Sequence, residues 1–260
     1  MEHARKTIAL TKARELHKEL NILQPEEIDI ERIALFKDAQ VRYEPLQGMD
    51  GCIVREGQAA IITVNSAITY TGQKRFVIAH ELGHYFLHSD TRQVESVNQD
   101  QTNNWSEKQE VEEYEANIFA AELLMPTALL EPRVRKQVPS FELIESLQKD
   151  FNTTLTSTAV QFVLNSKEEC AIVSCSGRQR MWFILSPGFS FRMLDDNYTH
   201  GCSCAAEVGP AKRKSRSSKI EAGYWLEGFR GNHKAFITED SRYFPVLRRS
   251  LSLLWIHDAI

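Results

Sequence analysis

The sequence predicts an α+β chain: a mostly helical N-terminal half with a small antiparallel sheet, a short helical module, and an α/β C-terminal region. Three observations support that reading. Apolar residues recur at helical spacing through most of the chain up to Asn165. Strand-like alternation before that point is confined to three short runs between Gln40 and Val64. Near Ser166 the texture changes to short apolar runs separated by turn and polar residues. The expected domains are 1–137, 138–166 and 167–260.

From Ala4 to Leu20 the residues Ile8, Leu10, Ala13, Leu16 and Leu20 fall at helical spacing. Pro25 opens a second helix to about Lys37, with the stripe Ile28, Ile30, Ile33, Ala34 and Phe36. Gln40–Leu46 alternates like a strand, and Pro45 confines it to an edge or a strand end. Gly48–Gly51 is a turn signal, followed by strands at Cys52–Arg55 and Ala59–Val64. Asn65 or Ser66 is placed to cap the next helix, which is strongly apolar and runs from about Lys74 to His88. Ser89–Glu107 is polar enough to read as a mobile surface loop. A long helix from Glu107 to Leu124 stops before Met125-Pro126, because proline disfavours helical geometry in the residue before it. Shorter helices are expected at Thr127–Gln137, Ser140–Phe151 and Ser157–Leu164. Strands are expected at Cys170–Cys175, Met181–Leu185, Tyr224–Leu226 and Ala235–Thr238, and a closing helix at Phe244–His257.

Composition excludes several classes. Lys and Arg number 31 against 35 Asp and Glu, a net charge of −4 with a pI near 6.1. An overall basic field for nucleic acid is therefore absent. No apolar run approaches the roughly 18 residues needed to span a bilayer, and charges interrupt the N-terminal run too often for a signal peptide. Five cysteines without a CxxC pair fit reduced thiols, so the expected location is the cytoplasm.

One five-residue segment carries specific chemistry. His80-Glu81-Leu82-Gly83-His84 is an HExxH sequence. Residues four apart on a helix share a face, so two imidazoles can reach one ion at about 2.0–2.1 Å. Glu81 sits one residue past the first ligand, angled away from the ion, where it can accept a proton from activated water. The flanking residues Phe76–Ala79 and Tyr85–Leu87 suit a buried helix. His88 continues the series, but a straight helix rotates it beside the ion, which gives it a supporting or packing role. A catalytic zinc usually takes a third protein ligand and leaves one position for water. The buried stripe Ala116, Phe119, Ala120, Leu123 and Leu124 brings Glu112 and Glu113 close to it and turns Glu115 toward solvent. The pattern does not separate Glu112 from Glu113.

The pair HELGHYFLH and ExxANxFAAELLMP resembles the ImmA/IrrE family of metallopeptidases, with Arg75–Ala79 and the strands around Tyr43, Gly51 and Ile61-Ile62 adding to the likeness. The resemblance is specific over about 35–126 and continues more loosely through Phe151–Ala159. It implies a zincin-like fold and zinc, with manganese as the other metal, bound by His80, His84 and Glu113. Glu81 is then the general base. It also implies a protein substrate, an XRE-type helix-turn-helix repressor whose cleavage releases the genes it silences, and a C-terminal GAF-like sensor region.

Other features are weaker. Residues 140–164 fit helix-turn-helix spacing, yet Ser157–Leu164 holds no Arg or Lys and makes a poor recognition helix. The run Lys212–Lys219 is the one basic patch and reads as a solvated loop. Cys202-Ser203-Cys204 is a weak redox or metal signature. Tyr85, Tyr114 and His88 are possible oxyanion donors. Two other classes compete: a DNA-binding regulator with a structural metal, and a metal-free binding scaffold.

Overall fold

Small residues let the first helix sit close to a later one. The computed structural model describes residues 2–56, 59–88, 107–229, 235–245 and 247–256. The buried face of helix α1 (Glu2–Glu19) carries Ala13 and Leu16 of the expected stripe together with Ala9, and of that stripe Ile8 is left exposed. That face packs on α4 (Glu107–Leu124). At the contact Arg14 pairs with Glu122 at 2.7 Å, and the His17 ring meets the Leu123 carbonyl at 2.9 Å.

The helix expected after Pro25 is broken in two. Pro25–Glu27 forms a single 3₁₀ turn, and α2 starts afresh at Ile30–Phe36. The cause is local: the Asp29 side chain caps the new helix by accepting from the Arg32 amide, in competition with a continuous helix. Ile28, Ile30, Ile33 and Ala34 are buried as expected, whereas Phe36 is exposed.

Three strands succeed it: β1 (Ala39–Glu44), β2 (Gly51–Glu56) and β3 (Ala59–Asn65). Their order is β1-β3-β2, with β2 antiparallel to β3 and β1 parallel to it. The sheet is thus mixed rather than antiparallel. The alternating strand β3, with Ala60, Ile62 and Val64 buried, takes the centre, while β1, ending before Pro45, is left at an edge. Asn65 does not cap a helix. Its amide donates to the Leu46 and Met49 carbonyls at 2.9 and 2.8 Å and closes the β1–β2 connection. Helix α3 (Thr71–Leu87) then packs on β2, β3 and α4. The expected polar loop lies outside the described residues up to 106.

Helices α5 (Thr127–Val134), α6 (Phe141–Phe151) and α7 (Leu155–Asn165) come after α4. The chain divides into two compact units, one of Met1–Leu129 with Gln148–Thr154 and the other of Leu130–Leu147 with Leu155–Ile260. In the second unit β4 (Cys170–Ser176), β5 (Gln179–Leu185), β6 (Ser215–Glu221), β7 (Phe236–Phe244) and β8 (Arg249–Trp255) form an antiparallel sheet in the order β5-β4-β8-β7-β6. Helix α7 lies on β4 and β5, and the short α8 (Cys204–Glu207) on β6 to β8. Val173, Cys204, Trp225, Ile237 and Leu254 meet in the core.

Three expectations in this region are overturned. The closing run is not a helix: its described residues are the end of β7 and β8, and Ser250–Leu254 are all buried between two neighbouring strands. Periodicity alone does not separate a fully buried strand from a buried helix. Tyr224–Leu226 is no strand, since Ala222–Tyr224 is a 3₁₀ turn. The basic run is an edge strand from Ser215 onward rather than a loop, and its Arg216 pairs with Glu207 at 3.4 Å. Charged edge strands resist pairing with other chains.

Candidate metal centre

An apolar stretch from Phe76 to Ala79 drives α3 into the interior, and the polar residues after it are carried in as well. His80, Glu81 and His84 are 1%, 3% and 5% exposed, unusually deep for three ionisable groups on one helix. Glycine at 83 permits a close helix crossing. A Cβ there would lie 2.9 Å from the Cα of Ala116 and 3.2 Å from its Cβ, so α3 and α4 meet almost backbone to backbone. One turn before Ala116, Glu113 is brought to the imidazoles.

Glu113 Oε2 lies 3.2 Å from His80 Nε2, and its Oε1 lies 3.2 Å from His84 Nε2. The two Nε2 atoms are 3.0 Å apart, with the rings edge to face. Donors about 2.05 Å from one tetrahedral ion would be roughly 3.3 Å apart, so this donor set has the spacing and the chemistry of a zinc site. Among the described residues it is the one group of three such side chains close enough to share an ion. Burial alone pushes the Glu113 carboxyl up, but the two facing imidazoles hold it down at about 2, and it is an anion near neutral pH.

The two acids left open by the sequence pattern are separated in space. Glu113 faces the imidazoles, whereas Glu112 offers its backbone carbonyl to His88 Nε2 at 3.2 Å. His88 stands outside the donor set. Its Nδ1 is 3.7 Å from Glu115, which is half-buried rather than turned to solvent. Burial, then the neighbouring His84, lowers the pKa of His88. Tyr114 is exposed, and the Tyr85 ring lies beneath the Arg55 guanidinium.

Two contributions went unnoticed in the sequence. Asn117, one turn after Glu113, places its Oδ1 3.1 Å from His80 Nδ1. That acceptor fixes the proton on Nδ1 and leaves the Nε2 lone pair for the ion. The spacing of four from Glu113 was the available signal. Gly51 is the other: a Cβ there would stand 2.3 Å from Val77 Cγ1, a clash, and 3.3 Å from Glu81 Oε1, a tight contact, so glycine lets β2 lie close against this part of α3. Next to it, burial and the Glu81 charge raise the pKa of the Cys52 thiol.

Outside this centre, Cys202 is exposed and Cys204 is buried, its thiol pushed up to about 12 mainly by burial. Helix α7 buries Thr158, Ala159, Phe162 and Val163. Among the described residues no helix is long and apolar enough to cross a membrane.

Residues 37–162 match the family model described as the IrrE N-terminal-like domain of peptidase family M78. A solved structure described as a Mycobacterium tuberculosis transcriptional regulator is similar in fold, with a TM-score of 0.54 and 11% identity, over 95% of this chain and 86% of that one. No curated protein matches the chain.

Proposed function

We propose, from the match of residues 37–162 to the IrrE N-terminal-like model of M78 peptidases, that this chain is a zinc-dependent endopeptidase that cleaves an XRE-type helix-turn-helix repressor and so releases silenced genes. The observation that carries this reading is the convergence of His80, His84 and Glu113 beside the buried Glu81. Zinc held by those three residues supplies Lewis acidity, which makes water nucleophilic near neutral pH. Manganese is the other metal the donor set would accept.

The chain's own residues supply the rest. His80 and His84 present Nε2 lone pairs, and Asn117 keeps the proton of His80 on Nδ1. Glu113 contributes a negative charge that would offset half the charge of a divalent cation. The Glu81 carboxylate takes the proton of the attacking water and returns it to the leaving amine. Depth excludes bulk water and strengthens these charge interactions.

In this reading 1–137 carry the peptidase, 138–166 a repressor-docking or structural module, and 167–260 a GAF-like sensor region, all in the cytoplasm. A DNA-binding regulator with a structural metal is less well supported. Helix α7 has no Lys or Arg to reach phosphates or guanine, and structural zinc favours four closed ligands.

The test is to incubate the zinc-loaded chain with helix-turn-helix repressors encoded beside its gene and to read the fragments by mass. Wild type should cut one of them and chelator should stop it. Glu81→Gln should keep its zinc and lose cleavage. Unchanged cleavage by Glu81→Gln would remove the mechanism, and salt-sensitive duplex binding without any cleavage would favour the DNA reading.

A further inference from the structure

We propose that Arg55 sets substrate specificity at this same site, selecting polypeptides with an acidic side chain about two residues from the bond that is cut. The inference rests on the peptidase reading above.

Side chains alternate along a strand, so Gly51, Ile53 and Arg55 share one face of β2. Gly51 lies against Val77 and Glu81 of α3. Farther along, the Arg55 guanidinium stacks 4.5 Å over the Tyr85 ring, and its Nη2 donates to the Tyr85 carbonyl. Val77, Glu81 and Tyr85 form one row on the helix, each four residues from the next. Arg55 therefore stands one turn past the catalytic base on the same side. A helical turn advances about 6 Å over four residues, and an extended chain advances about 3.3 Å per residue. A substrate laid from Glu81 toward Arg55 would present its second residue from the cut to the guanidinium.

Among the described residues no carboxylate meets that guanidinium. The half-buried Arg242 meets Glu142 and Glu145, whereas Arg75 donates to the Ile28 carbonyl and, like Arg55, has a buried Nε without a hydrogen-bond partner. Among the described residues Arg55 meets a carbonyl and an aromatic face, and its buried Nε has no hydrogen-bond partner. A planar fork of donors held over a ring is preorganised for a carboxylate. A purely structural role is also on offer, because the Tyr85 carbonyl belongs to the last turn of α3, where carbonyls lack helical partners. That role predicts a loss of stability on substitution but no change in which peptides are cut.

Zinc-loaded full-length protein is incubated with a mixed library of random dodecapeptides, and mass spectrometry reads the residues flanking each cut. Wild type should enrich Asp and Glu about tenfold over Lys and Arg at one position two residues from the cut. Arg55→Gln, which keeps a donor for the Tyr85 carbonyl, should lose that enrichment and raise KM for an acidic peptide about tenfold, with little change in kcat. Arg55→Glu should turn the preference to Lys and Arg, and Arg55→Lys should restore part of the original one. Cutting by wild type without acidic preference, or a preference that survives Arg55→Gln and Arg55→Glu, overturns the subsite and leaves the peptidase standing. A zinc-loaded wild type that cuts no peptide in the library and no repressor overturns both.

Discussion

In the proposed mechanism Asn117 acts on the metal site through His80 without being a ligand itself. Its amide oxygen settles which nitrogen of His80 carries the proton, so the ligand is oriented before any metal arrives. Asn117→Ala should weaken zinc binding about 10- to 100-fold with the fold intact, as read by competition with a chromophoric chelator and by circular dichroism. Unaltered affinity would mean that the contact is incidental. The HExxH was legible because all its chemistry lies in five consecutive residues on one helix. The carboxylate was not, since Glu112 and Glu113 fit the same apolar stripe. What separates them is the direction in which α4 crosses α3, a tertiary fact no local pattern carries.

Helix α3 meets α4 through Gly83 and Ala116, and that crossing sets the distance between the two halves of the donor set. Gly83→Ala would drive a methyl group into backbone, which cannot yield as a flexible side chain does. It should cost about 1–3 kcal/mol of stability and weaken zinc binding as Glu113 is pushed away; calorimetry with and without zinc measures both. In the five-stranded sheet the buried Glu239 of β7 accepts from the Cys204 and Ala205 amides, the Trp225 indole and the Ser241 hydroxyl. Burial outweighs these four donors and raises its carboxyl pKa above the ordinary 4.5. The folded state then binds the proton more tightly than the unfolded one, so the stability it contributes is present below about pH 4.5 and is lost as pH climbs through the folded value. Urea unfolding across that window should show this falling contribution, and Glu239→Gln should flatten it. Strands β6 and β8 were the least legible elements. The run Leu251–Trp255 has no alternation because both its faces are covered, and the Ser217-Ser218-Lys219 part of β6 looks like a loop because it is an edge.

Across the whole molecule, the proposed ligands and the proposed base come from two helices of the first compact unit, although a long polar segment of sequence separates them. The second unit contributes none of these four side chains. The change of texture near Ser166 lies just before its first strand, β4, opens at Cys170, whereas the unit itself also takes in Leu130–Leu147 and the chain from Leu155. Its antiparallel topology was not visible, because pairings such as β4 with β8 join strands some eighty residues apart. Everything proposed about catalysis requires one cation shared by residues from α3 and α4. Competitive zinc titration of the full-length chain and two alanine variants tests that requirement. One zinc per chain should bind to wild type and to Glu112→Ala with similar affinity, and Glu113→Ala should bind more than about 100-fold more weakly. Equal affinity in Glu113→Ala, or a collapse in Glu112→Ala instead, would contradict it.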